Sequence, residues 1–377
     1  MSRETPSVQD AQQIEQQSRE THLRDDGRNI DLGIGTLSGE AADQTTLDSK
    51  KDIELHSRSF PYVPSRQPGE GATYYDHPML KQPVWIWSIP AYFYVGGVAG
   101  VGATFGAAAQ LMAPKSMHSL VVRSRWMATV GGAVSAALLI HDLGRPTRFL
   151  NMLRVFRMSS PMSMGSWILT VFSSAAGAAA VLPFGPRLFR PLAGVFGVIG
   201  GVFGLGLSGY TGVLISQSAV PIWQTSYRTT PVLFLASGTA AAASFFEFFK
   251  LNAREAQAAE WFGVIGKMTE LAAAMALEAD ANRIERVARP LKTGFSGLLW
   301  QSAKVLTITS AVLSLLPGKS RPKRIAAGIL GSAASLCVRF GLFYAGKASA
   351  RDPRASFERQ RRIPPPVVDP TPPGSAA

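Results

Sequence analysis

Between His77 and Phe246 the sequence contains one acidic residue, Asp142. It follows His141 and leads into Gly144, Arg145, Pro146, Thr147 and Arg148. A carboxylate beside guanidinium groups can form charge-assisted hydrogen bonds that shape a turn, with Gly144 and Pro146 setting the backbone. The same residues, Asp142, Arg145 and Arg148, can instead form a polar rim on which a headgroup or a partner subunit docks. His141 is a candidate for proton handling, because imidazole titrates near neutral pH, with Asp142 orienting it. Further along, Lys304 and Arg339 fall inside apolar runs, and Glu247 lies near the end of another. Lys267 and Glu270 are three residues apart, hence on one helical face. A charge placed in hydrocarbon costs about 2.5–3.5 kcal/mol on insertion scales, so each of these groups needs a partner or a wet cavity. We expect a polar interior containing Lys304 and Glu270, with Arg339 as a further member. Lys304 and Glu270 are candidates for moving protons there, and a static ion pair would use the same groups.

No metal centre is expected. The single cysteine, Cys337, excludes a disulfide framework. An iron–sulfur cluster or structural zinc site needs about three or four Cys or His ligands. The five histidines are His22, His56, His77, His118 and His141. None lies in the middle of an apolar run, so a haem held between membrane helices is not expected either.

The elements that must carry these residues follow from the distribution of charge. The chain has 377 residues and a formal net charge of +13. Residues 1–73 hold 8 Lys/Arg against 13 Asp/Glu, which leaves the remainder strongly basic. Between Val287 and Arg351 there is no acid at all. A soluble domain of that size would carry acids on its exposed face. Short basic clusters between apolar runs are the pattern of an integral membrane protein, surrounded by lipid, with no nucleic-acid partner.

A hydrocarbon core about 30 Å thick needs roughly 20 apolar residues as helix. Eight segments qualify, near 84–112, 120–141, 163–184, 192–216, 230–250, 260–280, 294–316 and 324–346. The fold class is therefore all-α: a polytopic transmembrane bundle of about eight helices behind a disordered polar N-terminal tail. The expected domains are the tail at 1–73, the membrane part at 74–347 and an Arg/Pro-rich C-terminal tail at 348–377. Pro83, Trp85 and Trp87 make an interfacial anchor for the first helix. Ser159 or Ser160 caps the third helix, with Pro161 in its first turn. The sixth segment carries Lys267, Glu270, Glu278 and Asp280, and either faces the bundle interior or lies flat at the interface. Glycines such as Gly96, Gly97, Gly200 and Gly201 are read as packing residues.

Several of these pieces occur together in a recognisable order. They are Tyr74-Tyr75 and Pro78, Pro83-Val84-Trp85, Gly96-Gly97 with Ala99-Gly100, the Asp142–Pro146 run, Ser160–Ser163 with Gly165-Ser166-Trp167, and Tyr210-Thr211-Gly212. In combination they resemble the NrfD / polysulphide reductase membrane-subunit family over about 74–346. The resemblance implies an eight-helix subunit of a respiratory oxidoreductase in the bacterial cytoplasmic membrane. Such a subunit exchanges electrons between quinone or quinol (menaquinone or ubiquinone) and a separate iron–sulfur subunit. That partner in turn serves a catalytic subunit, often of the molybdopterin type. An ion-translocating or passive-anchor subunit of such a complex is the alternative. By the same resemblance Tyr210 falls where the family places a tyrosine near the quinone headgroup. At two first-helix positions where members with an assigned pocket carry Asn and His, this chain has Ile89 and Tyr92. A phenol at position 92 can donate to a carbonyl, but it does not cycle protons near neutral pH as imidazole does.

Overall fold

The computed structural model describes residues 29–31, 36–38, 80, 82–143, 146–317, 320–352 and 354–356, with the backbone alone at 29–31, 36–38, Pro146 and Arg148. The chain divides into two units, Met1–Ser59 and Phe60–Ala377. In the first, strands β1 (Asn29–Asp31) and β2 (Thr36–Ser38) pair antiparallel, Asn29 opposite Ser38. The rest of the expected disordered tail, like Tyr74, Tyr75, His77 and Pro78, lies outside the described residues.

The second unit is helical. It contains α1 (Ser88–Met112), α2 (His118–Asp142), α3 (Pro161–Val181), α4 (Leu192–Ser216), α5 (Pro221–Thr225), α6 (Thr229–Phe246), α7 (Ala253–Asn282), α8 (Glu285–Lys292), α9 (Gly294–Leu315) and α10 (Arg321–Arg351). The eight long helices coincide with the eight expected segments. Six of them (all but α2 and α7) are long and apolar enough to cross a membrane by composition alone. The other two have spanning length and carry more charge. The chain is a multi-pass membrane protein. Its described helices alternate in direction, so α1 begins and α10 ends on one side, here called the terminal side.

Packing sorts the helices into two groups of four. Helices α1, α2, α3 and α4 pack together, as do α6, α7, α9 and α10, and contacts of α6 with α1 and α4 and of α10 with α1 join the groups. Small residues set the closest crossings, because packing rather than water exclusion must hold helices together in lipid. Gly100 and Gly204 meet backbone to backbone, so a Cβ on either would collide with the other's carbonyl. Thr104 Oγ1 donates to the Gly201 carbonyl at 2.7 Å, and Ser208 Oγ donates to that of Gly97 at 3.2 Å, closing the same α1–α4 seam. Outward positions are the reverse: Val195, Val202 and Leu205 on α4, and Val305, Ile308 and Val312 on α9, are exposed and apolar. An apolar exterior around a core of Ala, Gly and Ser is what lipid surroundings require.

Helix ends follow local chemistry. Ser160 Oγ accepts from the Ser163 N–H and Pro161 opens α3, as expected from the Ser-Pro pair. Helix α7 begins with a capping box: Asn252 accepts from the Glu255 N–H at 2.9 Å, and Glu255 accepts from the Asn252 N–H at 3.0 Å. This sixth long helix takes the interior of the two expected placements, since Lys267 and Glu270 are buried between its neighbours.

Candidate functional site

On the terminal side the last turn of α2 meets the entry to α1. Asp142 Oδ1 accepts from the Ile86 N–H at 3.1 Å and from Ser88 Oγ at 3.4 Å. The helix that ends at Asp142 thereby supplies an acceptor for otherwise unpaired groups where α1 begins. His141 and Lys347, the latter from α10, stand near enough to act on this carboxylate. His141 itself is exposed and packs against the Trp87 ring, with centroids 5.7 Å apart. Arg145, and the side chain of Arg148, lie outside the described residues, so the expected ion pairs to Asp142 fall there too. The described partners of Asp142 are instead the residues before and at the start of α1, which sequence reading did not pair with it. Their separation of more than fifty residues left no local signal.

Deeper on the same side lie the two tyrosines. Tyr92 is 3% exposed, beside Ile89 and Phe93, and is close enough to Tyr210 for the two phenols to act on each other. Tyr210 comes from the terminal half of α4 and lies across Gly165 of α3, where a Cβ would fall inside its ring. Only glycine at 165 leaves room for that phenol. Thus Tyr92, Tyr210 and Gly165, from three helices, converge, and the Ser88–Asp142 contact stands about one turn further out.

Tyr210, Val213 and Gln217 share one stripe along α4 and its cap. Val213 and Gln217, with Ser216, Gln224, Tyr227 and Pro231, line a cleft of about 340 Å³ between the ends of α4, α5 and α6. Tyr227 is half-exposed, with the Arg228 guanidinium 5.2 Å above its ring. Short helix α5 closes the inner side: Trp223 is buried, donates from Nε1 to the Leu342 carbonyl at 2.9 Å, and stacks with Trp85 at 6.2 Å. Gly346 makes room for that indole, as Gly165 does for Tyr210.

The interior charges separate into two places, where the sequence suggested one. Lys304 Nζ donates to Glu278 Oε1 at 2.6 Å, and Trp300 Nε1 donates to the same oxygen at 2.6 Å. This pair, about a quarter exposed on each side, ties α9 to α7. Lys304 therefore does not join Glu270; its partner is the acid two turns further along α7. Glu270 and Arg339 are 2% and 1% exposed. Arg339 donates from Nη2 to the Phe234 carbonyl at 2.5 Å and lies over the Phe234 ring at 3.9 Å. Lys267, also buried, donates from Nζ to Ser314 Oγ at 2.9 Å. Glu247, at the other side of the bundle, accepts from Arg324 Nε at 2.6 Å. Among the described residues no three His, Cys, Asp or Glu side chains gather as a metal site would require.

Sequence reading also missed two clamps. Arg125 donates to Gln110 Oε1 at 2.8 Å and to the Ala179 carbonyl at 3.2 Å, while Gln110 Nε2 donates to the Gly194 carbonyl at 2.9 Å. One guanidinium so links all four helices of the first group. Glu255 reaches from α7 to the start of α2, taking Ser119 Oγ at 2.6 Å and the Leu120 N–H at 2.9 Å. The Asn-x-x-Glu spacing was the available signal for its cap, and nothing local pointed to its second helix.

Compared with family models, residues 77–349 match the one described as Polysulphide reductase, NrfD. A comparison with curated proteins finds no match.

Proposed function

Because the chain belongs to the NrfD polysulphide reductase family, whose members are membrane subunits of respiratory oxidoreductase complexes, we propose that it exchanges electrons between the membrane quinone pool and a docked iron–sulfur subunit. The catalytic subunit beyond that partner is of the molybdopterin type or another kind, and the complex sits in a bacterial cytoplasmic membrane. The observation that carries this reading is the convergence of Tyr92 and Tyr210 behind the Asp142–Ser88 contact, on one side of the first helix group.

The residues present suit a quinone, either menaquinone or ubiquinone. A quinone ring needs an apolar slot and one polar partner at each carbonyl. Tyr210 and Tyr92 offer two phenolic donors, and Ile89, Phe93 and Leu207 offer apolar walls. Ile89 is buried and has no polar atom to give, so the donor roles rest on the two phenols. The cleft beside Val213 and Gln217 has the volume to admit a ring from the lipid side. When bound, the quinone supplies two-electron, two-proton chemistry. His141, exposed at the end of α2, exchanges protons with water, and Asp142 holds the adjoining entry to α1 in place. Asp142, with Arg145 and Arg148 shortly after it in the sequence, forms the rim on which the iron–sulfur partner docks.

Tyr210→Phe tests this reading, since it keeps the ring over Gly165 and removes only the hydroxyl. Quinol-dependent electron transfer at limiting quinol should fall about tenfold, equivalent to about 1.4 kcal/mol, with the complex still assembled. Unchanged turnover would remove Tyr210 from the site and leave the chain a passive anchor.

A further inference from the structure

The second helix group holds buried polar atoms that the quinone reading does not use. Both carboxylate oxygens of Glu270, and Nε and Nη1 of Arg339, have no hydrogen-bond partner among the described residues. The hydroxyls of Ser237, Ser244 and Ser332 are in the same state. Ser237 and Ser335 stand close enough to act on the Glu270 carboxylate, and Arg339 and Lys267 are the cations that face it. These groups come from α6, α7 and α10, at the centre of the bundle. Buried polar atoms in native proteins are almost always satisfied, and where protein supplies no partner an internal water does, making about three hydrogen bonds. A buried ion left dry would cost several kcal/mol. The cluster offers such waters polar partners from three helices.

Its two ends differ. Towards the side opposite the termini, Lys267 continues the line to Ser314 Oγ and the Ser310 carbonyl, at 2.9 and 3.5 Å, near the end of α9. Beyond it stands the Glu247–Arg324 ion pair, 26% exposed on the arginine side. Towards the terminal side stands apolar bulk: Phe234 packs on Phe93 with centroids 5.7 Å apart, and Phe343 is buried in the core. Gly97 of α1 leaves room for the guanidinium, since a Cβ there would stand only 3.1 Å from Arg339 Nη2.

We propose that Glu270 is a proton-binding site in a hydrated pocket of the second helix group, open to the side opposite the termini and closed towards Tyr92 and Tyr210. Its ligands are the proton and a short chain of waters. On uptake, an O–H bond forms at one Glu270 oxygen as an O–H bond of the adjoining hydrated proton breaks; release reverses this, and no electron moves. The charged and titratable groups facing the site are Lys267 on α7, Arg339 on α10, and Tyr94 on α1, which acts on Arg339. Glu247, at the end of α6, acts on Lys267 and is itself paired with Arg324. From α9 come Ser310 and Ser314, while its Lys304 is held by Glu278. Lys304 is therefore not part of this path. The inference stands apart from the quinone reading, because the site needs neither quinone nor partner.

The test uses the full chain in oriented lipid vesicles without quinone, with infrared difference spectra recorded as the pH is changed on one face at a time. A carboxylic C=O band should appear on acidifying the face opposite the termini, shift in D2O, and vanish in Glu270→Gln. Glu270→Asp should keep a band at a moved position, which decides the matter if the Gln variant does not reconstitute. A response only from the terminal face, a band blind to D2O, or a band unmoved in Glu270→Asp would each overturn the proposal.

Discussion

Replacing Glu255 with alanine should weaken the fold more than any exposed change, because one carboxylate serves two helices. It is fully buried. It accepts from Ser119 Oγ at 2.6 Å, from the Leu120 N–H at 2.9 Å and from the Asn252 N–H at 3.0 Å. Asn252 adds a link of its own, donating from Nδ2 to the Ser116 carbonyl at 3.1 Å. Hydrogen bonds to a charged group contribute about 1.5–3 kcal/mol each and do not simply add. Truncation also strands the Leu120 N–H, whose residue is wholly buried. The expected loss is about 3–5 kcal/mol, and Glu255→Gln, which keeps one acceptor, should lose less. The pH dependence has a definite sign. Burial alone would push this carboxyl up, but the Ser119 hydroxyl, the Asn252 and Leu120 amides and the nearby Arg123 outweigh it and hold it below its ordinary 4.5. A group depressed on folding stabilises fully above its unfolded value, and that stabilisation is lost as pH falls through the folded one. Thermal unfolding of the detergent-solubilised protein should thus show wild type well above Glu255→Ala at neutral pH. The gap should close progressively below about pH 4.5. Equal midpoints at neutral pH, or a gap that persists unchanged into strong acid, would refute the reasoning.

Two further perturbations separate close packing from polar anchoring. Gly204→Ala puts a methyl onto the Gly100 carbonyl and should cost about 1–3 kcal/mol or abolish folded yield, whereas Gly177→Ala, with nothing within 4 Å, should stabilise by about 0.5–1 kcal/mol. Matching effects from the two glycine variants, read by thermal unfolding, would remove the α1–α4 crossing as a determinant. Asp142→Ala, which loses both the Ile86 and Ser88 hydrogen bonds, should cost about 1–3 kcal/mol, while Asp142→Asn retains an acceptor and should cost less in stability. Equal losses from the two would show that Asp142 does not act as the acceptor at the entry to α1.

The sequence by itself determined the membrane class and all eight long helices, because hydrocarbon admits only runs of apolar residues whose backbone is satisfied within the helix. It also marked the local devices, since a cap or an interfacial proline acts on residues three or four away: Ser160 and Pro161 at α3 are of this kind. The order of the Asp142, Ser160–Trp167 and Tyr210 pieces was enough to indicate the family. What it left undecided was partnership across the bundle. Lys304 and Glu270 looked like one group because both are charges in apolar runs, yet helix rotation turns Lys304 to Glu278 and leaves Glu270 to Arg339 and Lys267. Asp142 drew attention through its arginine neighbours, while its described hydrogen bonds go to Ile86 and Ser88, just before and at the start of α1. Whether Tyr92 and Tyr210 meet depends on the crossing of α1, α3 and α4, which Gly165, Gly100 and Gly204 set by allowing close approach. Such contacts depend on rotation and depth of whole helices against each other, and only tertiary packing decides those.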